Sequence, residues 1–246
     1  MQTRPLSPQH RGNGLTGLLR ATGKKLLSLF PFGNELARRL LSFGFNGSPS
    51  YWEARYAKGD NSGAGSYGEL AEFKGRILLE LIDEMAIRSV VDFGCGDGNQ
   101  IGYLGQIPYV GLDVSTTAID LCIKKYAADK NKHFVHFAPG QRFADLSIDP
   151  GDLAMSLDVI FHLVEDDVFT SYIENLFSAS TRFVVVYSSN VDKLTESPHV
   201  RHRNITAHIE SHISGWSLYR HVENPYKGEL SESDFFIYSR DDSDAG

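Results

Sequence analysis

The chain has 246 residues, 41% of them hydrophobic and 22% charged, enough for one sizeable α/β domain with a packed core plus an appendage. Two cysteines, Cys95 and Cys122, exclude a disulfide framework and fit a reducing compartment. No apolar run approaches the roughly 18 residues of a membrane span, so a cytoplasmic protein is expected.

The net charge of −7 is uneven. In residues 1–45 seven basic side chains (Arg4, Arg11, Arg20, Lys24, Lys25, Arg38 and Arg39) face one acid, Glu35, which gives +6 and leaves −13 for the rest. An acidic body repels a phosphate backbone, so no nucleic-acid partner is expected.

Residues 1–48 read as a basic amphipathic extension. Leu15, Leu18, Leu19, Thr22, Leu26 and Phe30 share a helical face, with Arg20, Lys24 and Lys25 off it. Gly23 weakens that helix by roughly 1 kcal/mol relative to Ala. Pro31-Phe32-Gly33 interrupts it, and Asn34 restarts a short helix through Leu41. KKLLSLFPF begins like a signal peptide, but its apolar part is short and no A-x-A site follows. For residues 15–41 three uses stay open: peripheral contact at the inner membrane surface, packing on a partner protein or the body, and disorder. Residues 49–240 form the main domain, and 241–246 an acidic tail.

In that domain strand-like and helix-like segments alternate. Tyr51, Trp52 and Tyr56 recur at helical spacing, followed by the polar, glycine-rich NSGAGSYG, which suits a loop that closes over a ligand. Ser66-Tyr67-Gly68-Glu69 is a capping-box sequence, opening a helix with a stripe of Leu70, Phe73, Ile77, Leu81 and Met85. Strands are predicted at Val90–Phe93, Tyr109–Val114, His133–Phe137, Leu153–Ile160 and Phe183–Tyr187. Helices follow the glycines of the first strand, start at an N-cap Ser115 and run to about Ala128, and start at the acids Glu165, Asp166 and Asp167. Val168, Phe169, Tyr172, Ile173 and Leu176 supply the last helix's buried face. Trp216–Glu223 and Phe235–Ser239 pair as a closing antiparallel hairpin. This order predicts an α/β, doubly wound, Rossmann-like, mostly parallel sheet.

The most informative stretch is VVDFGCGDGN, residues 90–99. Glycines at alternate positions let a backbone pass close to a ligand. A dinucleotide fingerprint usually has an apolar residue where Asp92 stands, and its third glycine comes three after the second; here that position is Asn99. Asp113 then ends the next strand, where an acid can take two ribose hydroxyls. A ligand-free turn and a dinucleotide site are the competing readings.

VVDFGCGDG followed by GLDVS resembles motifs I and II of the class I S-adenosylmethionine-dependent methyltransferases, and LDVIFHL resembles that family's motif near the methyl-transfer centre. The likeness spans residues 50–240 in element order. It implies a seven-stranded sheet and S-adenosylmethionine as cofactor. It also implies that Asp92 holds the methionyl amino group, and that Gly94, Cys95, Gly96 and Gly98 form the turn beneath the methionyl and ribose portions, at a helix N-terminus. Asp113 would bind the ribose, Val114 and Asp145 the adenine, and Leu157 and Asp158 would lie beside the sulfonium. Cys95 reads as a small filler.

For the acceptor, His162 follows the fourth strand, as a catalytic base or as a hydrogen-bonding residue of the turn. The segment His199-Val200-Arg201-His202-Arg203 lies where such enzymes build a substrate pocket. Its basic residues suit an anionic or polyhydroxylated acceptor, or else form a solvated loop. Trp52 and Tyr56 would cover the substrate, or belong to the core. His199 and His202 have no acidic or cysteine partner at ligand spacing, so no metal is expected. LDVIF lacks the prolines of amino-methylating DNA enzymes, and neither cysteine follows the fourth strand. The expected activity is methyl transfer to a hydroxyl of a polar small molecule or glycan, with N-methylation or a non-catalytic scaffold as alternatives. NSGAGSYG with the late HVRHR is similar to bacterial methyltransferases found alongside polysaccharide-assembly enzymes.

Overall fold

A computed structural model describes residues 45–195 and 197–241. The readings of residues 15–41 and of the acidic tail past Asp241 lie outside the described residues. Helix α1 (Ser48–Ala57) and α2 (Gly68–Glu84) precede strand β1 (Val90–Phe93). Then come β2 (Tyr109–Asp113), α3 (Thr116–Lys125), β3 (Lys132–His136), β4 (Gly151–Leu157), α4 (Asp166–Ser178) and β5 (Ser180–Ser188). The chain finishes with the two-residue strands β6 (Lys193–Leu194) and β7 (Arg201–His202), α5 (Ile205–His212), β8 (Trp216–Val222) and β9 (Asp234–Arg240).

The sheet has seven strands in the order β3-β2-β1-β4-β5-β9-β8. Strands β1 to β5 are parallel, and β9 joins β5 and β8 antiparallel, as the predicted closing hairpin requires. The strand order reverses between β1 and β4, and ligands of doubly wound sheets bind above such a switch point.

Strand alternation separates two cores. Leu153, Met155 and Tyr187 pack with Phe73, Ile77 and Leu81 of α2 and Ile119 of α3 on one face. On the other, Val91, Ala154 and Val184 meet Phe169, Ile173 and Leu176 of α4 and Ile205 of α5. Every residue of β4 is buried, as befits a strand covered on both faces.

Several local expectations are corrected. The capping box does not form: Ser66 ends a short 3-10 turn and Tyr67 stands at the N-cap of α2 without a side-chain bond. Ser66 instead turns its carbonyl to Asn99 Nδ2 at 2.7 Å. After the glycines there is only a 3-10 turn, Gln100–Tyr103, because Gly102, Gly105 and Pro108 crowd the few residues before β2. The turn therefore does not sit at an α-helix N-terminus. Strand β4 ends at Leu157, and Ile160–His162 form a 3-10 turn. Ser115 caps α3 as expected, accepting from Ala118 N at 3.0 Å. Among the described residues no helix is long and apolar enough to cross a membrane.

Candidate active site

The glycine turn joins β1 to the switch point. Gly94 N and Cys95 N both donate to Leu112 O, at 2.7 and 3.1 Å, pinning the turn to β2. Gly94 has φ +83°, and a Cβ there would run into Val159. Gly96 has φ +57°; its missing Cβ leaves room for Ser62 and for the Tyr56 hydroxyl, which would lie 2.9 Å from it. Asp113 ties the turn to α3: Oδ2 accepts from Gly96 N at 2.9 Å and Oδ1 from Ser115 N at 2.8 Å. Burial pushes its carboxyl up to about 6 against those bonds.

A cavity of about 920 Å³, open mouth included, lies above the strand ends. Asp113, Val114, Leu157 and Asp158 form its floor, Phe137–Gln141 and Tyr172 of α4 its side, and Trp52, Tyr56 and Ser62 its roof. The roof is latched. Ser62 N donates to Asp97 Oδ2 at 2.9 Å, and Asp97 N donates back to Ser62 Oγ at 3.0 Å. The Tyr67 hydroxyl reaches the same Asp97 oxygen at 2.7 Å. Helix α1 is held by Glu53, which accepts from the hydroxyls of Ser115 and Thr117, each at 2.6 Å.

A second cavity, about 1060 Å³ with its mouth, adjoins the first. Tyr51, Trp52, Arg55, Phe161, His162, His199, His202 and the 228–233 loop line it. Trp52, Ser62 and Asp158 line both cavities. His162 Nδ1 lies 3.0 Å from His199 O. A carbonyl only accepts, so Nδ1 carries the proton and Nε2 keeps its lone pair. Burial pushes His162 down to about 4, so the ring is neutral at ordinary pH. The His199 ring stacks on Tyr51 at 4.3 Å, and His202 Nδ1 meets Ser189 Oγ at 2.6 Å.

Thus Trp52, Tyr56, Asp113, Val114, Leu157, Asp158, His162, His199 and His202 converge on two adjoining cavities. Eight expected site residues do not: Asp92, Asp145, Arg201, Arg203, and Gly94, Cys95, Gly96 and Gly98 of the turn. Asp92 is buried and lines neither cavity; its Oδ2 accepts from the Tyr109 hydroxyl at 2.6 Å, and burial pushes it up to about 7. Asp145 is half exposed and paired with Arg142 at 2.9 Å, leaving the cavity side to the 137–141 loop. Arg201 and Arg203 turn away from His202, as alternate residues of an extended segment do. Both bind Asp166, at 2.8 and 3.0 Å, and Arg203 Nη2 also donates to Val164 O at 3.1 Å. The glycines and Cys95 lie behind the roof as structure, and Cys95 and Cys122 are both buried. Among the described residues no metal-ligating cluster occurs.

Sequence reasoning missed Glu53, Asp97 and Lys74. Lys74 was findable. It falls on the apolar stripe of α2, between Phe73 and Ile77, where a charge marks a buried partner. That partner is Asp158, 2.7 Å from Nζ.

No family model and no curated protein matches the chain. Solved structures do. The N-methyltransferase NodS from Bradyrhizobium japonicum, in complex with S-adenosylhomocysteine, aligns at TM-score 0.63 and 15% identity, over 80% of this chain and 100% of that one. Magnesium protoporphyrin IX methyltransferase from Synechocystis, with bound S-adenosylmethionine, aligns at TM-score 0.55 and 18% identity, over 83% and 97%. The methyltransferase domain of a bacterial Hen1 aligns at TM-score 0.55 and 17% identity, over 68% and 97%. The fold is that of the class I methyltransferases. At these identities the likeness is one of fold, and the methyltransferase-fold core of this chain covers nearly all of each of these neighbours.

Proposed function

We propose that the protein transfers a methyl group from S-adenosylmethionine to a hydroxyl of a polar small molecule or glycan. The observation that carries this reading is the meeting of two cavities at Trp52, Ser62 and Asp158, above the switch point of a methyltransferase fold. The first cavity fits the cofactor. Each Asp113 oxygen accepts one backbone bond and keeps a lone-pair site for a ribose hydroxyl. Val114, Phe137 and Leu157 offer an apolar bed for the base. Bound there, the cofactor supplies an activated methyl on a sulfonium.

The protein's own part is alignment and exclusion of water. The roof over the first cavity, latched through Asp97, covers one side of it and narrows its opening to solvent. In the second cavity, His162 Nε2 accepts a hydrogen bond from the acceptor and orients it; a ring titrating near 4 is a poor proton sink at neutral pH. The faces of Tyr51, Trp52 and Phe161 suit the C–H surface of a sugar. Because Arg201 and Arg203 are committed to Asp166, and Arg55 faces the second cavity alongside three acids, Asp158, Glu229 and Glu232, an uncharged polyhydroxylated acceptor fits better than an anionic one. N-methylation is the second reading, supported by the likeness of fold to an N-methyltransferase.

Calorimetry with S-adenosylhomocysteine tests the cofactor half, and absence of binding by folded protein at high micromolar ligand refutes it. Radiolabelled methyl donor offered to free sugars, oligosaccharides and small amines tests the acceptor half. Label entering amines alone replaces the first reading by the second.

A further inference from the structure

We propose that Lys74 is a positioning residue, which pins the Asp158 carboxylate and balances its charge at the point where the two cavities meet. The inference rests on the cofactor reading above and extends it to a residue outside both cavities. Lys74 sits on the buried face of α2 with its side chain 1% exposed, and its Nζ donates to Asp158 Oδ2 at 2.7 Å. The same ammonium lies 5.3 Å from the centre of the Tyr187 ring, and Ser233 Oγ donates to Asp158 Oδ1 at 3.3 Å.

Asp158 itself is unusual. It is one of only two non-glycine residues with positive φ among those described, at +60°. Its backbone N donates to Tyr187 O at 2.9 Å, which fixes that strained turn at the end of β4. Gly65 passes so close that a Cβ on it would stand 2.7 Å from Oδ2. Left-handed backbone is uncommon at a residue with a side chain, although Asp tolerates it better than most, and burying an ammonium carries a desolvation cost that only a well-made pair offsets. A methionine at position 74 would serve packing alone. Both costs fall on one carboxylate, and that carboxylate is the acid shared by the two cavities. Strain gathered on one residue of a site points to a demand of function.

The physical consequence is electrostatic. A sulfonium is cationic, and the thioether left after transfer is neutral. A bare carboxylate at the meeting point would hold the cation strongly; one backed by Lys74 attracts it only moderately and cannot swing away. Removing Lys74 should therefore increase preference for a cationic nucleoside over a neutral one of the same shape. Removing both charges should reduce that preference below the wild-type level.

The experiment is calorimetry on the full chain with two probes, sinefungin (an amine-bearing analogue, cationic) and S-adenosylhomocysteine (neutral). The readout is the ratio of their affinities. Relative to wild type, Lys74→Met should raise the ratio in favour of sinefungin by roughly tenfold, as a unit charge a few ångströms away does at intermediate permittivity. Lys74→Arg should restore it to near the wild-type value. The double variant Lys74→Met/Asp158→Asn, which buries no charge and so should fold, should lower the ratio severalfold. If Lys74→Met fails to fold, wild type against the double variant still decides. Equal ratios in proteins that bind both nucleosides overturn the role of Lys74 and leave the cofactor reading standing. A folded wild type that binds neither overturns the cofactor reading, and this inference with it.

Discussion

The two halves of the site bury opposite charges in opposite ways. At the glycine turn, Asp92 and Asp113 are buried carboxylates held by neutral donors, Tyr109 and two backbone N–H groups, and among the described residues neither has an ion-pair partner. Near the second cavity two buried cations, Lys74 and Arg203, are each joined to an acid, Asp158 or Asp166. Asp113, which lines the first cavity, keeps lone pairs in reserve for donors that arrive with a ligand; Asp92 lines neither cavity and serves the turn from behind. The paired cations are already satisfied and lie behind the cavity walls, where they fix the acids they bind instead of meeting a ligand.

Breaking that contrast gives graded effects. The largest concerns Asp92. Its folded-state pKa of about 7 lies above the ordinary 3.8, so between pH 4 and 7 the folded protein holds a proton that the unfolded chain has released. Stability therefore falls as pH rises through that window. Urea unfolding should show Asp92→Asn more stable than wild type at pH 8, on the order of 3 kcal/mol, with little difference at pH 4. A variant no more stable at pH 8 would mean the carboxylate is solvated.

Next is Arg203→Ala, which strips charged donors from the carbonyls of Leu163 and Val164 and from Asp166. It should cost about 2 kcal/mol of stability while S-adenosylhomocysteine affinity stays near wild type. A loss of acceptor turnover without loss of stability would return the arginine to recognition.

Asp113→Ala should weaken S-adenosylhomocysteine binding by about 1–2 kcal/mol. In wild type, affinity should rise as pH passes through about 6, because ribose hydroxyls favour the ionised carboxylate, and level off above pH 7. Calorimetry across pH 5–8 would expose a flat profile if Asp113 is not the partner.

The smallest effect sharpens the view of the roof. Ser62→Ala removes hydroxyl contacts to Tyr56 and to Asp97 N, at about 0.5–1 kcal/mol. Hydrogen exchange should quicken in residues 59–66 before it does in β1 or β4. Uniform quickening would show that the roof and the sheet open as one unit.

The glycine turn and the first cavity were far more legible than the second cavity. Glycines 94, 96 and 98, with Asp113 and Val114, could be placed from sequence because each sits at a fixed offset from the end of a strand. The same rule does not say which side of the turn a side chain faces, and Asp92 lines neither cavity. Arg201 and Arg203 looked like an anion site because composition records charge but not its partner. Asp166, which binds both, lies in another element.

By itself the sequence determined the alternation of strands and helices, the glycine turn and the closing hairpin. These follow from periodicity and local backbone preference, which act over a few residues. Only the tertiary structure decided that Lys74 meets Asp158, that Asp97 latches the roof, and that His162 and His202 share a cleft while the arginines on either side of His202 do not. Those pairings join residues far apart in the chain, and their energies depend on which groups lose water together.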